Sequence, residues 1–257
     1  MNLHYLKHFI LHYLTAKWID VLHSPFVFDL YQKCIKKEKN LSAYATIENK
    51  RAQLLKDNRA LFYEDYGASS HSRKLLVKTL AKKHLKPARV AQVLSRLKNH
   101  LAYTNCIELG TSLGITTQYL SLGSNQPSSI HTIEASKEVR EIALESFVNN
   151  LSITSHLGNF DDALPNILKE LNNIDMIFID GNHTFDATLR YFEWCLPHLH
   201  NNSMLVFDDI YWSKDMTKAW EIIKQDKRVS VSIDLFFVGL VFFRKEQVKE
   251  NFKLRIL

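Results

Sequence analysis

Cysteine, proline, glycine and long apolar runs are all scarce in this chain, and each shortage narrows the class of protein. Its 257 residues include three cysteines, five prolines and seven glycines. Three cysteines without metal-ligand spacing argue against a disulfide framework and favour a reduced, cytoplasmic protein. The sequence contains no run of eighteen apolar residues, and its first residues lack the pattern of a signal peptide. We therefore expect a cytoplasmic protein with no membrane span.

Charge is distributed unevenly along the chain. Residues 1–105 carry 19 Lys and Arg against 7 Asp and Glu, whereas residues 106–257 carry 14 against 20. This change predicts a basic, mostly helical N-terminal extension over residues 1–100 and a sheet domain over residues 101–257. Basic positions such as Lys82, Lys83 and Arg89 lie in helical patterns without interleaved aromatics. They favour a solvated face over a nucleic-acid surface, and an anionic acceptor remains open.

One motif joins a predicted strand to a predicted helix. The apolar run Asn105–Ile107 leads into Glu108-Leu109-Gly110-Thr111-Ser112-Leu113-Gly114, and residues 115–122 can form a helix. Glycines at such a turn allow a ligand to approach bare backbone. The spacing E-x-G-x-x-x-G differs from the G-x-G-x-x-G of dinucleotide-binding proteins. An NAD-dependent dehydrogenase is therefore the weaker alternative.

Further predicted strands also end in acidic residues. Ser129–Glu134 forms the second strand, and Glu134 stands where an acidic side chain can accept both hydroxyls of a ribose. A third strand, Ile153–Leu157, leads into the loop that contains Asn159, Phe160 and Asp161. Met176–Asp180 and Met204–Asp209 are continuous apolar runs, which indicate strands buried on both faces of a parallel sheet.

The C-terminal part predicts an antiparallel hairpin. Val229–Leu235 and Val238–Arg244 are separated by two residues, which is too short for a parallel crossover. A mostly parallel sheet that ends in such a hairpin is typical of class I methyltransferases. The expected fold is therefore α/β and Rossmann-like, with a seven-stranded, mostly parallel sheet, an antiparallel C-terminal hairpin and an N-terminal helical extension.

The motif Glu108–Gly114 resembles the first motif of class I S-adenosylmethionine-dependent methyltransferases, in which this turn holds the methionine end of the cofactor. The segments Phe178–His183 and Val206–Ile210 resemble the small-molecule O-methyltransferases related to catechol and caffeoyl-CoA methyltransferases, methyltransferase family 24. Carried over by position, the resemblance implies that S-adenosyl-L-methionine contacts Glu108, Gly110, Thr111, Ser112, Gly114, Glu134, Asn159, Phe160, Asp161 and Asp180.

The same resemblance implies a divalent cation, such as Mg²⁺, bound by Asp180, Asp208 and Asp209. His183 stands where metal-dependent relatives place a lysine base. Asp180 and His183 are therefore the predicted catalytic residues, although His183 could instead be a fourth ligand or have neither role. Asp180 could equally hold the cofactor's amine with no metal present. Tyr211 and Trp212, just after the fifth strand, could line an aromatic acceptor.

The N-terminal region offers two further features. An apolar stripe at helical spacing comprises Leu3, Leu6, Ile10 and Tyr13 or Leu14. The stripe predicts a helix packed on its own domain, with a dimer contact or a membrane-surface helix as alternatives. The segment His23–Tyr31 and the loop Glu64–Ser70 together resemble an N-terminal extension of small methyltransferases from Bacteroidetes-type bacteria. In that loop, Asp65 and Tyr66 are candidates for a lid over the cofactor or acceptor, whereas the alternative is a simple cap and turn.

We therefore expect a bacterial S-adenosylmethionine-dependent methyltransferase that methylates an oxygen of a small, phenolic-type acceptor with divalent-metal assistance. A methyltransferase for RNA or protein, docked by the basic half, is an alternative, as is a non-catalytic protein that binds cofactor or partners. Nucleic acid is not the favoured partner, and a homodimer is compatible with the N-terminal helix.

Overall fold

The computed structural model describes residues 3–17, 23–36, 41–64, 72–123, 127–148 and 150–255. Ten helices form within these residues: α1 (Leu3–Thr15), α2 (Pro25–Leu30), α3 (Leu41–Leu54), α4 (Val77–His84), α5 (Ala88–His100), α6 (Ile115–Ser121), α7 (Lys137–Leu144), α8 (Phe160–Glu170), α9 (Phe185–Cys195) and α10 (Lys214–Gln225). None of them combines the length and hydrophobicity that crossing a bilayer requires.

The same segments contain ten strands: β1 (Ala60–Glu64), β2 (Ser72–Leu76), β3 (Asn105–Leu109), β4 (Ser129–Glu134), β5 (Ile153–Leu157), β6 (Ile174–Ile179), β7 (Leu199–Asp208), β8 (Val231–Asp234), β9 (Val238–Phe242) and β10 (Glu250–Lys253). The chain divides into two compact units. One comprises Glu38–Glu170, and the other comprises Met1–Lys37 together with Leu171–Leu257. The domain boundary predicted at residue 100 rests on the change in charge along the chain, and it stays a prediction.

The unit Glu38–Glu170 contains three parallel strands in the order β3-β4-β5. Asn105 of β3 lies opposite Ser129, and Ile130 of β4 lies opposite Ile153. Each connection includes a helix, as parallel neighbours require. β4 and β5 have the bounds that the sequence predicted, and β3 begins at the predicted Asn105 but continues two residues beyond Ile107.

A separate two-stranded sheet pairs β1 with β2 in antiparallel register. The backbone N–H of Phe62 in β1 donates to the Glu138 carboxylate of α7 at 2.6 Å. The sequence pattern favours helices on both sides of the loop Glu64–Ser70, and this expectation is wrong, because β1 precedes the loop and β2 follows it. Asp65 and Tyr66, the predicted lid residues, lie outside the described residues.

The unit formed by Met1–Lys37 and Leu171–Leu257 contains five strands in the order β10-β8-β9-β7-β6. β6 and β7 are parallel, whereas β9 pairs antiparallel with β7 on one side and with β8 on the other. The predicted hairpin is thus confirmed, and its second strand lies between β7 and β8. The main sheet has eight strands rather than the predicted seven, because β10 adds a parallel strand beside β8.

Packing around β9 explains one of the few glycines. A Cβ at Gly239 would lie 2.6 Å from the Trp220 ring of α10, so only glycine fits there. Met204, Leu205, Val206 and Phe207 of β7 are also buried. The core of this unit therefore includes β7, which ends at the acidic residues of the candidate site.

The helix α1 packs through its histidines. His12 and Ala16 are buried, whereas Leu3, Ile10 and Leu14 of the predicted stripe are exposed. The expectation that this stripe packs on its own domain is wrong. His8 stacks on Tyr211 with a centroid distance of 4.8 Å, and His4 hydrogen-bonds Thr217 at 3.0 Å.

Candidate functional site

The turn between β3 and α6 has an unusual backbone. Gly110, Ser112 and Gly114 all have positive φ, of 103°, 49° and 77°. The N–H groups of Gly110 and Thr111 both donate to the carbonyl of Ile133 at 3.0 Å, which ties the turn to β4. A left-handed residue other than glycine is uncommon and marks a shaped, strained loop. Gly110, Thr111, Ser112 and Gly114, predicted to bind the cofactor, thus belong to one rigid turn.

Gly114 has a packing reason to be glycine. A Cβ there would lie 2.8 Å from two ring atoms of Phe147 and 3.1 Å from the Cβ of Ala143. This contact accounts for Gly114 without any ligand. The shape of the turn is therefore set by its fit against the α7 region.

Glu108 is fully buried, and its side chain joins three elements. Its carboxylate Oε2 accepts hydrogen bonds from Thr117 at 2.5 Å and from Thr132 at 2.7 Å, and Thr132 also hydrogen-bonds Thr111 at 2.6 Å. A buried carboxylate is tolerated when charged or polar hydrogens satisfy it. Glu108 thereby braces β3, β4 and α6 beneath the turn, and its contact with the cofactor stays a prediction.

Glu134 lies at the carboxyl end of β4 and faces the turn at Gly110–Gly114, which we call the glycine turn. One carboxylate oxygen accepts from the Ser112 N–H at 2.8 Å, and the other accepts from the Ser136 N–H at 3.0 Å. These two bonds hold the carboxylate at the carboxyl end of β4, the strand end at which parallel sheets bind ligands. The side chain is only half-buried. Its position therefore suits the predicted contact with a ribose.

The loop after β5 begins α8. Asn159 caps this helix, because its side chain accepts from the Asp162 N–H at 2.9 Å and donates to the Asp162 carboxylate at 2.6 Å. The N–H of Gly158 donates to the Glu134 carbonyl at 3.0 Å, so this loop starts beside Glu134. Phe160 is half-buried and Asp161 is exposed. The contacts of Asn159, Phe160 and Asp161 with the adenine remain predictions.

In the other unit, β6 and β7 bring three possible ligands together. Among the residues that the structure describes, Asp180, His183 and Asp208 each offer one atom within 4.8 Å of the others. His183 Nε2 lies 3.8 Å from the Asp180 carboxylate, and Asp208 is buried at the end of β7. We call these residues the acid-histidine cluster. Parallel neighbours end at the same edge of a sheet, which explains why Asp180 and Asp208 meet.

The segment between β6 and α9 positions His183. Asn182 has a φ of 48°, and its side chain donates to the Tyr191 hydroxyl at 3.0 Å. Thr184 then begins α9, and its hydroxyl lies 3.5 Å from the Asn182 side-chain oxygen. A tight turn followed at once by a helix leaves the His183 ring little freedom. The histidine is therefore held close to Asp180.

Asp209, the third predicted metal ligand, does not belong to this cluster. Its φ is 50°, and its N–H donates to the Phe237 carbonyl at 2.9 Å. The Trp212 N–H in turn donates to the Asp209 carbonyl at 2.8 Å, which closes a turn after β7. The structure thus brings together two of the three predicted carboxylates, and His183 takes the third position.

Tyr211 and Trp212, the predicted acceptor residues, have different surroundings. Tyr211 is buried between His8 and Phe236, and its hydroxyl donates to the Asp234 carboxylate. Burial and the neighbouring Asp234 raise the pKa of Tyr211. Trp212 is 54% exposed. Trp212 therefore presents about half of its surface to solvent, whereas the hydroxyl of Tyr211 is already used inside the protein.

Sequence reasoning missed a buried cluster of His12, Tyr211 and Asp234. His12 Nε2 lies 3.2 Å from the Asp234 carboxylate, which also accepts from the Phe236 N–H at 2.9 Å. Burial alone would raise the pKa of Asp234, but His12 and Tyr211 together hold it below its ordinary value. The repeat of His4, His8 and His12 at intervals of four residues was the available signal, since it places all three on one helix face.

Comparison with known proteins assigns the fold and the domain. Residues 107–210 match methyltransferase family 24, described as a methyltransferase domain. The chain therefore contains a methyltransferase domain. The matched segment includes both the turn at Gly110–Gly114 and the acid-histidine cluster, so the predicted motifs lie within this domain. No protein with a curated description matches the sequence significantly.

Several solved structures share the fold of this methyltransferase. An O-methyltransferase from Bacillus cereus in complex with S-adenosylhomocysteine is 20% identical with a TM-score of 0.57, and the match covers 88% of this chain and 100% of that one. The S-adenosylhomocysteine-bound methyltransferase PaMTH1 from Podospora anserina is 13% identical with a TM-score of 0.56, covering 81% and 98%.

A third match is the O-methyltransferase TomG from Streptomyces achromogenes, involved in tomaymycin synthesis and bound to S-adenosylmethionine. It is 15% identical, with a TM-score of 0.54, over 84% of this methyltransferase and 94% of that protein. At these identities the similarity shows the fold. What those proteins bind or methylate is a property of theirs.

Proposed function

We propose that this methyltransferase transfers a methyl group from S-adenosylmethionine to an oxygen of a small phenolic acceptor. The observation that carries the proposal is the acid-histidine cluster at the carboxyl ends of β6 and β7, within 4.8 Å. Two acids and an imidazole form a group that can bind a divalent cation or remove a proton from a hydroxyl. Both abilities serve the one chemical need of the acceptor, which is to become an oxyanion.

The cofactor would be held by the Glu38–Glu170 unit. The turn at Gly110–Gly114 would place its backbone beside the methionine end, and Glu134, which is hydrogen-bonded to the Ser112 N–H, would accept from the ribose hydroxyls. S-adenosylmethionine, when bound, supplies a methyl group already activated by a positively charged sulfur. The residues of the chain therefore have to orient the acceptor, exclude water and hold a proton.

The acid-histidine cluster fits a divalent cation. Asp180 and Asp208 supply hard carboxylate oxygens, which suit Mg²⁺ and Mn²⁺, whereas the His183 imidazole adds a nitrogen donor that suits transition metals. With His183 as a ligand, the set favours Mn²⁺, Fe²⁺ or Zn²⁺ over the Mg²⁺ suggested by the sequence. A bound cation would lower the pKa of an acceptor hydroxyl.

His183 has a second role in the same arrangement. A histidine accepts protons near neutral pH, and Asp180, 3.8 Å from Nε2, would stabilise the imidazolium that results. In this version His183 takes the proton of the acceptor hydroxyl directly, and Asp208 orients the acceptor by accepting a hydrogen bond. The two versions differ in their need for metal, so experiment can separate them.

The test is a methyl-transfer assay with labelled S-adenosylmethionine and a series of phenols and vicinal diphenols, run with Mn²⁺, with Mg²⁺ and with EDTA. Asp180→Asn and Asp208→Asn should each lower kcat by at least about 100-fold. Binding of S-adenosylhomocysteine should change by less than about threefold. Asp186→Asn, an exposed acid on α9, is the matched control and should retain activity.

The metal dependence of the activity distinguishes a bound cation from His183 as the base. Activity abolished by EDTA and restored by Mn²⁺ supports the cation, whereas EDTA-insensitive activity that His183→Gln removes supports the base. Equal loss of turnover and cofactor binding in Asp180→Asn contradicts a role at the acceptor and leaves a role in holding the cofactor. No transfer to any phenol, with cofactor binding intact, contradicts the proposed acceptor class.

A further inference from the structure

The helix α1 presents apolar side chains to solvent and histidines to the protein. Leu3 is 82% exposed, Leu14 is 71% exposed and Ile10 is 50% exposed. A surface helix normally buries such side chains. Large exposed apolar patches mark sites of interaction.

This orientation is fixed by specific contacts. His12 pairs with Asp234 at 3.2 Å, His8 stacks on Tyr211 and His4 hydrogen-bonds Thr217. At about 100° per residue, these histidines occupy an arc of about 80°, and the exposed apolar positions cover about 200°. We call that wider arc the outer face of α1. Rotating the helix to bury the outer face would break all three histidine contacts.

An exposed tryptophan extends the outer face. Trp212 lies beside α1, with its ring 6.4 Å from that of Tyr5, and is 54% exposed. Tyr13, also on α1, is 57% exposed. Tryptophan and tyrosine are the residues enriched where proteins meet the headgroup region of a bilayer, because one part of the ring is apolar and another polar.

The charged residues of α1 itself have a single sign. Residues 1–17 contain no Asp or Glu, and Lys7 lies within the exposed arc. Lys17, Lys253 and Arg255 gather at the C-terminal end of α1, where Lys17 donates to the Lys253 carbonyl and Arg255 stacks on Tyr13. Basic residues beside an apolar helix face favour anionic lipid.

We propose that the outer face of α1, together with Trp212, docks on the surface of an anionic lipid bilayer. A second copy of the chain is the competing occupant. A helix of 13 residues is about 20 Å long and offers a strip about 10 Å wide, or about 200 Å². A standard interface buries about 800 Å² on each partner. A bilayer can bury the whole outer face, because lipid requires no complementary protein surface.

The test is co-sedimentation of the full-length protein with vesicles of phosphatidylcholine alone or mixed with phosphatidylglycerol. Binding is expected to the anionic vesicles and should weaken as salt is raised. The triple variant Leu3→Ser/Ile10→Ser/Leu14→Ser should bind at least about tenfold more weakly. Lys7→Gln/Lys17→Gln should lose about fivefold per lysine on anionic vesicles only.

The matched control replaces equally exposed apolar residues on other surfaces, Leu151→Ser and Val248→Ser, and should bind as the wild type does. Circular dichroism checks that every variant is folded. Sedimentation velocity without lipid measures self-association. Absence of wild-type binding to anionic vesicles overturns the proposal, as does a triple variant that binds normally. A dimer that the triple variant abolishes, without vesicle binding, would assign the outer face to a second copy.

Discussion

Replacing Gly114 by alanine should destabilise the protein by about 2–5 kcal/mol, and two features of the structure supply this figure. The φ of 77° is left-handed, which costs an L-residue about 1–2 kcal/mol. The new methyl group would also lie 2.8 Å from the Phe147 ring and 3.1 Å from the Ala143 Cβ. Overpacking of this kind costs about 1–3 kcal/mol.

The assay is urea denaturation of Gly114→Ala beside a control, Gly123→Ala. Gly123 also has a positive φ, of 48°, but the nearest atom to its added Cβ is the Asn99 amide at 3.8 Å. The control should therefore lose about 1–2 kcal/mol from backbone strain alone. If both variants lose the same free energy of unfolding, the packing explanation of Gly114 is wrong.

A double-mutant cycle isolates the contact with the ring. In a Phe147→Leu background the methyl group meets a smaller and more flexible side chain. The cost of Gly114→Ala should then fall by about 1–2 kcal/mol. Strict additivity of the two substitutions would refute the reasoning, because it would mean that the methyl group and the ring do not interact.

Three further predictions concern Glu134, Lys98 and the pair formed by His131 and His156. Glu134→Ala should weaken binding of S-adenosylhomocysteine by roughly 10- to 100-fold, from about 1.5–3 kcal/mol for hydrogen bonds to a charged group, and an unchanged dissociation constant by calorimetry would refute the contact. Lys98 is buried, its Nζ has no hydrogen-bond partner among the described residues, and burial lowers its pKa. Lys98→Met should therefore raise the free energy of unfolding at pH 7 by about 1–3 kcal/mol, and destabilisation would contradict this. His131 and His156 hydrogen-bond each other at 3.0 Å, and burial lowers the pKa of both. The unfolded chain binds protons more readily, so the stability that the two neutral histidines provide is present above about pH 6.5 and is lost as the pH falls. In urea denaturation at decreasing pH, the double variant His131→Gln/His156→Gln should lose less free energy of unfolding than the wild type. An equal loss in both proteins would count against this role of the pair.

β6, β7 and β9 could be predicted because each contains a run of buried apolar residues, and β9 begins at the predicted Val238. Strands covered on both faces leave this signal in the local sequence, since most of their side chains are apolar. β4 and β5 are less apolar, but they have the predicted bounds, because β4 ends in an acidic residue and a glycine follows β5. The glycine turn and the acidic strand ends were predicted from the residues that follow these strands.

The missed strands lack that signal. β2 reads Ser-Arg-Lys-Leu-Leu and β10 reads Glu-Asn-Phe-Lys, and neither is a continuous apolar run. Such strands form because a partner is available, and the partner of β10 lies in β8, about twenty residues away in sequence. The context of neighbouring strands decides these segments more than local propensity does.

The orientation of α1 was hidden for the same reason. Periodicity found an apolar stripe, but the histidine face packs on the protein because Asp234 and Thr217, about 200 residues later, satisfy its polar atoms. A polar side chain can be buried when a partner is supplied. No pattern within residues 3–15 reveals that partner.

The candidate site was predicted in part. Asp180 and Asp208 end neighbouring parallel strands and meet as expected, and His183 follows by the turn at Asn182. Asp209 lies outside the cluster, because the chain turns at this residue, with a φ of 50°, and its N–H donates to the Phe237 carbonyl. Phe237 lies between β8 and β9, so no local pattern around Asp209 reveals this turn.

The most direct test of the account is a calorimetric titration of S-adenosylhomocysteine into the purified full-length protein. Glu134→Ala serves as the comparison, and both proteins are measured with Mn²⁺ and with EDTA. We expect micromolar binding to the wild type, with the Glu134 variant roughly 10- to 100-fold weaker. No binding to the wild type in either buffer would contradict the assignment of the glycine turn and Glu134 to the cofactor.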